Sequence, residues 1–258
     1  MEIIRFGTPG STPPLLFVHG SYCGAWIWER FFLAYFAKAG YYGAAISLRG
    51  HGKSPDAAQI DTYGIPEFLE DIDEGVRLFD KKPILIGHSL GGYLVQRYAL
   101  THDDVPGLML LSSPSLAGLA SSSQHILMNN PMLAIQLGLL MSFGPTFADA
   151  EVIGGALFLK GVPRAEKEQM SVLLQTESKR ISAEAFWPCW EKPVKIPPTF
   201  VLGGDCDAFV PLSDCQQEAD FWKGELKIMP NVPHGVMLDT CWQKVAGEMK
   251  TWLEKTFG

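Results

Sequence analysis

Residues 83–95 read Pro-Ile-Leu-Ile-Gly-His-Ser-Leu-Gly-Gly-Tyr-Leu-Val: an apolar run passes through a serine between glycines and then takes up helical spacing. The run ending Ile84-Leu85-Ile86 predicts a short buried strand, and Tyr93 to Leu100 predicts a helix. Gly87 and Gly91 stand two residues either side of Ser89. A strand, a G-x-S-x-G turn and a helix in that order keep the serine out of the sheet ladder and push its hydroxyl outward. The flanking glycines leave room for so tight a corner.

The rest of the chain repeats the strand-then-helix rhythm. Strands are expected at Glu2 to Phe6, Leu15 to Val18, Gly43 to Ser47, Leu108 to Leu111, Thr199 to Leu202 and Glu225 to Met229. Helices are expected at Trp28 to Ala39, Pro66 to Phe79, Leu212 to Trp222 and Cys241 to Phe257. Such alternation implies an α/β fold with a mostly parallel central sheet flanked by helices. From about Ser115 to Trp190 no strand signal occurs. That stretch is rich in Leu, Met and Phe, with helical periodicity over Arg164 to Thr176. It is expected to be a helical cap (115–190) inserted after the fourth predicted strand of the core, counting from Leu15–Val18. Residues 1–114 and 191–258 would form that core. A chain of 258 residues suits one such sizeable domain.

Composition narrows the function classes. Net charge is −7 and no Lys/Arg cluster occurs, which argues against nucleic acid as a partner. The longest apolar window, Met132 to Phe143, contains Gln136 and is too short to cross a bilayer, so no stable membrane insertion is expected. Met1 to Arg5 does not read as a signal peptide. The five cysteines, Cys23, Cys189, Cys206, Cys215 and Cys241, are odd in number and lack metal-type spacing. They read as reduced thiols of a cytoplasmic protein with no metal and no cofactor.

A serine hydroxyl is a poor nucleophile until a base takes its proton, and a carboxylate commonly orients that base. Both partners should lie in loops beyond the carboxyl ends of later strands. His234, in Pro230-Asn231-Val232-Pro233-His234-Gly235, is the histidine beyond Ser89 that follows such a strand. After the strand ending at Leu202 come Asp205 and Asp207, both candidates for the acid. His102, at a helix end, and His125, in the helical stretch, read as surface or packing residues.

These motifs together resemble the α/β-hydrolase family over nearly the whole chain: His19-Gly20-Ser21, Arg49-Gly50-His51-Gly52-Lys53-Ser54, Gly87-His88-Ser89-Leu90-Gly91-Gly92, Gly204-Asp205-Cys206-Asp207-Ala208-Phe209-Val210-Pro211 and Pro233-His234. The resemblance implies Ser89 as nucleophile, His234 as base and Asp207 as acid. Asp205 is left as a turn residue. The backbone N–H groups of Ser21 and Leu90 would form the oxyanion hole. Pro233 departs from the glycine common before that histidine. The family's dehalogenases and epoxide hydrolases use an aspartate where Ser89 stands. Its hydroxynitrile lyases carry threonine at the position of Gly20 and lysine at that of Gly235, so both marker residues are missing.

The expected activity is hydrolysis of a small-molecule carboxylic ester through an acyl-enzyme, as in carboxylesterase- and lysophospholipase-like members. Thioester, lactone or carbon–carbon hydrolysis with the same triad is the alternative, and a triad-bearing ligand receptor a more remote one. The Met/Leu-rich stretch is expected either to be the inserted helices' own core or to turn some of Leu116, Leu119, Met128, Met132, Leu133, Leu137, Leu140, Met141 and Phe143 toward Ser89 as an apolar acyl or alcohol pocket. His88, His19 and His51 are expected to support loop backbone, and the acidic run Glu67 to Glu74 to be a solvated helix face. Oligomeric state is not encoded in any motif.

Overall fold

A computed structural model describes residues 1–159 and 161–258. Seven strands form one sheet: β1 (Glu2–Phe6), β2 (Leu15–Val18), β3 (Gly43–Ser47), β4 (Ile84–His88), β5 (Leu108–Leu111), β6 (Thr199–Gly204) and β7 (Glu225–Met229). Their order is β1-β3-β2-β4-β5-β6-β7. β1 runs antiparallel to β3, with Glu2 opposite Ser47. Every other pairing is parallel. The order of the strands reverses between β2 and β4, and the crevice above such a reversal is where α/β sheets bind ligands.

Side-chain alternation sorts the strands onto two cores. Leu15, Phe17, Ile84, Ile86, Met109, Leu111, Phe200 and Leu202 face one way. They pack on Trp28, Phe32 and Phe36 of α1 (Trp26–Glu29) and α2 (Phe32–Lys38), and on Val245, Met249 and Leu253 of α11 (Trp242–Phe257). Leu16, Val18, Leu85, Leu108, Leu110 and Val201 face the other way. They meet Phe68 and Ile72 of α3 (Ile65–Val76), Leu94 and Tyr98 of α4 (Leu90–Thr101), and Trp222 of α10 (Leu212–Trp222). A period of two with both faces covered is what a parallel strand between helix layers requires.

Between β5 and β6 the chain forms α5 (Ala120–Asn129), α6 (Pro131–Phe143), α7 (Ala150–Leu157), α8 (Arg164–Ser171) and α9 (Lys179–Ala185). Ile126, Leu133, Ile153 and Ala156 give this region a small core of its own. Asn130 starts α6 by accepting the Leu133 N–H, and Asp149 starts α7 by accepting the N–H groups of Glu151 and Val152. Among the described residues no helix is long and apolar enough to cross a membrane.

Three local expectations are corrected. The helix expected over Trp28 to Ala39 is two helices, because Phe31 leaves helical geometry at φ −135° and stacks on Trp242 at 4.8 Å. Helical structure from Arg164 stops at Ser171 rather than continuing to Thr176. Beyond it the backbone runs against the core, where Gln175 N–H donates to the Tyr22 carbonyl at 2.8 Å. The acidic face of α3 is not wholly solvated either. Asp71 is buried and accepts the Arg49 backbone N–H at 2.7 Å and its Nε–H at 2.9 Å.

Candidate active site

Ser89 sits at the turn between β4 and α4 with φ 51° and ψ −125°. A non-glycine residue there carries strain on the order of 1–3 kcal/mol, held by its surroundings. Those surroundings are tight. A Cβ at Gly87 would lie 2.4 Å from the Gly91 carbonyl oxygen, and one at Gly91 would lie 2.3 Å from that of His19. The glycines are there because strand, turn and the loop after β2 approach one another this closely.

His234 follows β7 and is buried. Its Nδ1–H donates to the Asp207 carboxylate, 2.9 Å from Oδ2 and 3.0 Å from Oδ1. Asp207, in the turn after β6, also accepts the N–H groups of Phe209 at 2.8 Å and Val210 at 2.9 Å. Burial pushes its pKa up. The imidazole and the two amides outweigh burial and hold the carboxyl below its usual range. Asp205 points elsewhere and accepts the Asn231 N–H at 2.7 Å, so it pins the neighbouring loop, and it also meets the Cys206 thiol of its own turn. Phe209 lies against the His234 ring at 4.6 Å between centroids.

Ser89 and His234 line one cavity of about 310 Å³. No hydrogen bond joins their side chains among the described residues. Such contacts often tighten only when substrate is bound. Gly20, Ser21, Tyr22, Cys23 and His88 complete the floor. Among the residues expected to face Ser89, the walls contain Leu119, Leu137, Leu140 and Met141, joined by Ile126, Ile153, Leu157, Leu174 and Phe186. Leu116, Met128, Met132, Leu133 and Phe143 do not line the cavity. Leu133 is instead fully buried in the core of the inserted helices, while Met128, Met132 and Phe143 turn outward. An apolar cavity of this size accommodates a small organic molecule.

The loop after β2 is ordered by its own histidine. His19 Nδ1–H donates to the Gly20 carbonyl at 2.8 Å, and its Nε2 accepts the Leu48 N–H at 3.0 Å. Burial, with His51 nearby, lowers its pKa to about 3, so the ring is neutral and this tautomer is fixed. Because the Gly20 carbonyl is held, the N–H at the other end of the same peptide, that of Ser21, is held too. Among the described residues neither the Ser21 nor the Leu90 N–H has a protein acceptor. Leu90 opens α4, where N–H groups lack intrahelical partners and the helix dipole is positive.

His88 supports the backbone of His234. Its Nε2–H donates to the His234 carbonyl at 2.9 Å, and burial lowers its pKa to about 3. His51 bonds the Arg49 carbonyl at 3.3 Å as expected, and also meets Glu177, which sequence reasoning missed. His102 stacks on Tyr98 at 3.8 Å, and half-buried His125 bonds the Asp207 carbonyl at 3.4 Å. Cys23 lines the cavity, but burial, reinforced by Glu177, pushes its thiol up to about 12 and keeps it protonated. All five cysteines are free thiols, and among the described residues no group of His, Cys, Asp and Glu has the arrangement of a metal site.

Residues 15–248 match the model of the alpha/beta hydrolase family. The chain belongs to that family. Epoxide hydrolase 3 of Xenopus tropicalis is 24% identical over 269 residues, covering 95% of this chain and 72% of the relative. A non-heme chloroperoxidase of Burkholderia pyrrocinia is 26% identical over 259 residues, covering 89% of this chain and 87% of the relative. An esterase of Exiguobacterium antarcticum superposes with a TM-score of 0.72 at 16% identity, over 98% of this chain and 94% of that one. At that identity the superposition speaks for the fold alone.

Proposed function

We propose that the protein hydrolyses carboxylic esters, with Ser89 as nucleophile, His234 as general base and acid, and Asp207 as the group that orients and balances the imidazole. The observation that carries this is a buried imidazole fixed on a carboxylate by Nδ1, sharing a cavity wall with a serine on a strained turn. Its other nitrogen, Nε2, is then left for the serine proton. In acylation Ser89 Oγ attacks the ester carbonyl carbon while Nε2 accepts the Oγ proton. The carbonyl electrons move to an oxyanion, which the Ser21 and Leu90 N–H groups receive. The tetrahedral species collapses as Nε2–H protonates the departing alcohol. Water, deprotonated by the same nitrogen, then attacks the acyl carbon, and the Oγ–acyl bond breaks as Nε2–H returns its proton to Ser89 Oγ. Each oxyanion donor contributes roughly 3 kcal/mol.

The helices between β5 and β6 act as a cap, with 115–190 set against a core of 1–114 and 191–258. Leu119, Leu137, Leu140 and Met141 supply an acyl or alcohol pocket. The five free thiols fit a reducing, cytoplasmic setting. Two family chemistries fit less well. An aspartate nucleophile, implied for epoxide hydrolases, is replaced by Ser89. The hydroxynitrile lyase residues have no space. A Cβ at Gly20 would lie 2.9 Å from Ser89 Cβ, and one at Gly235 would lie 2.7 Å from Phe158 Cε1.

The test is a panel of p-nitrophenyl esters of increasing chain length, set beside thioesters, lactones and an epoxide, with Ser89→Ala as control. Esters should be the fastest class, and Ser89→Ala should lose on the order of 10⁶-fold in turnover. Preference for another class, or near-wild-type turnover by Ser89→Ala, would overturn the proposal.

A further inference from the structure

Tyr22 directly follows Ser21 and has φ +62°. A bulky residue stays in that left-handed region only when its neighbours hold it there. Here both of its peptide groups are held from the segment between α8 and α9. Gln175 N–H donates to the Tyr22 carbonyl at 2.8 Å, and the Tyr22 N–H donates to Glu177 Oε2 at 3.3 Å. The Gln175 side chain brackets Gly52 at the same time, accepting its N–H and donating Nε2–H to its carbonyl at 3.1 Å.

Glu177 is a carboxylate with 2% exposure, in a place where charge needs compensation. Its Oε1 accepts the Ser178 N–H at 2.8 Å and lies 3.4 Å from Nε2 of His51, itself 1% exposed. The His51 ring packs on that of His19 at 5.1 Å between centroids, and His19 holds the Gly20 carbonyl. One buried side chain, contributed 155 positions later in the chain, therefore closes on the loop that carries the Ser21 amide.

We propose that Glu177 is a positioning residue: its carboxylate holds the Ser21–Tyr22 peptide, and through it the Ser21 N–H, at the place where the oxyanion develops. Without that acceptor Tyr22 relaxes toward negative φ, the Ser21–Tyr22 peptide turns with it, and the Ser21 backbone joined to it shifts, so that the bond from His19 to the Gly20 carbonyl is left as the one tether on the Ser21 N–H. Assembly of the oxyanion hole then depends on the inserted helical segment being seated on the core. This rests on the ester-hydrolase proposal above.

Three substitutions separate the possibilities: Glu177→Gln keeps one oxygen for the Tyr22 N–H, with its NH2 turned to His51 and the Ser178 acceptor and the charge lost, Glu177→Asp keeps the charge but falls short of Tyr22, and Glu177→Ala keeps neither. Each is assayed for kcat and KM on a short p-nitrophenyl ester and for thermal melting. Loss of one oxyanion donor costs about 10²–10³-fold, so a misaligned one should lower kcat by about 10–100-fold in the Asp and Ala variants, with KM within about threefold. Glu177→Gln should stay within about fivefold of wild type, since a net hydrogen bond of about 1 kcal/mol is kept. A purely structural role would lower the melting temperature in all three variants and leave kcat of the folded protein unchanged. If Glu177→Ala does not fold, the Asp and Gln variants decide between them. The proposal is overturned if Glu177→Asp keeps kcat within twofold, or if Glu177→Gln falls as far as Glu177→Asp. Should wild-type protein neither turn over esters nor react with a fluorophosphonate at Ser89, it is the ester-hydrolase proposal that has failed.

Discussion

Adding one methyl group at Gly20 should cripple turnover while leaving substrate binding nearly intact. The alanine Cβ would lie 2.9 Å from Ser89 Cβ, 3.0 Å from His88 Nδ1 and 3.1 Å from the His88 carbonyl oxygen. Carbon atoms in contact prefer about 3.5–4.0 Å, so the loop after β2 must retreat by roughly 0.6–1 Å. Ser89 cannot give way easily, because its turn is wedged between Gly87, Gly91 and the loop itself. The retreating segment carries the Ser21 N–H. A shift of about 1 Å in a catalytic group costs on the order of 10²-fold. Overpacking of this kind costs about 1–3 kcal/mol, which for a chain of this size lowers the melting temperature by roughly 2–10 °C. The assay is steady-state hydrolysis of p-nitrophenyl butyrate at a temperature well below the melting transition, with Gly20→Ala beside wild type. We expect kcat to fall by about 30–100-fold, with KM changed by less than about threefold. Wild-type kcat in a variant that has lost the expected melting stability would show that the loop moved and the reaction did not notice. The Ser21 amide would then have no part in it.

Asp207→Asn should lower kcat/KM by about 10⁴-fold without unfolding the protein, because an amide facing Nδ1 favours the wrong imidazole tautomer; steady-state kinetics with circular dichroism checks it. Leu137→Trp, on the cavity wall, should shift the preferred ester toward shorter chains and leave the shortest ester within a few-fold of wild type; the chain-length series reads this directly. The His51–Glu177 pair should make stability depend on pH in a defined window. Burial would lower the His51 pKa, but Glu177 overrides it and holds it above 6.5, so its contribution is complete below that value and is lost as pH rises through the raised pKa. Burial would likewise raise the Glu177 pKa, but His51 and the Ser178 N–H hold it below 4.5, so its contribution is complete above that value and is lost as pH falls through the depressed pKa. Asp71 also faces this pair and raises the His51 pKa further, while His19, neutral above about pH 3, adds no charge in this range. The melting difference between wild type and Glu177→Gln should therefore be widest between pH 4.5 and 6.5 and narrow on both sides; a flat difference across that range would contradict the assignment.

The parts legible in the sequence were those encoded locally. A short apolar run, a turn residue and a helix start lie within a few positions of one another, so β4, Ser89 and α4 could be read together. β6 with the turn holding Asp205 and Asp207, and β7 with His234, followed by the same logic, and the choice of Asp207 over Asp205 came from the family resemblance. The inner strands β2, β4 and β5 were legible because each is built on an apolar run, as burial on both faces demands, while the edge strands β1 and β7 mix charged and apolar residues. What escaped was decided by distant partners. Nothing near Phe31 announces Trp242, whose stacking accompanies the break between α1 and α2. Asp71 looks like one more acid on an acidic helix until Arg49 is brought beside it. Glu177 and His51 are 126 positions apart and ordinary in local context; only the fold buries them together. The inserted helices were hardest. α6 is apolar all round, so sequence periodicity could not say that Leu137, Leu140 and Met141 face the cavity while Met132 and Phe143 face outward.

The most direct measurement is intact-protein and peptide mass spectrometry after treatment with a fluorophosphonate. A single phosphonyl adduct on Ser89 is expected, absent in Ser89→Ala and formed at least about 10²-fold more slowly in His234→Ala, where no imidazole takes the hydroxyl proton. An adduct on any other residue, or labelling of Ser89 at an unchanged rate in His234→Ala, would contradict the assignment of nucleophile and base.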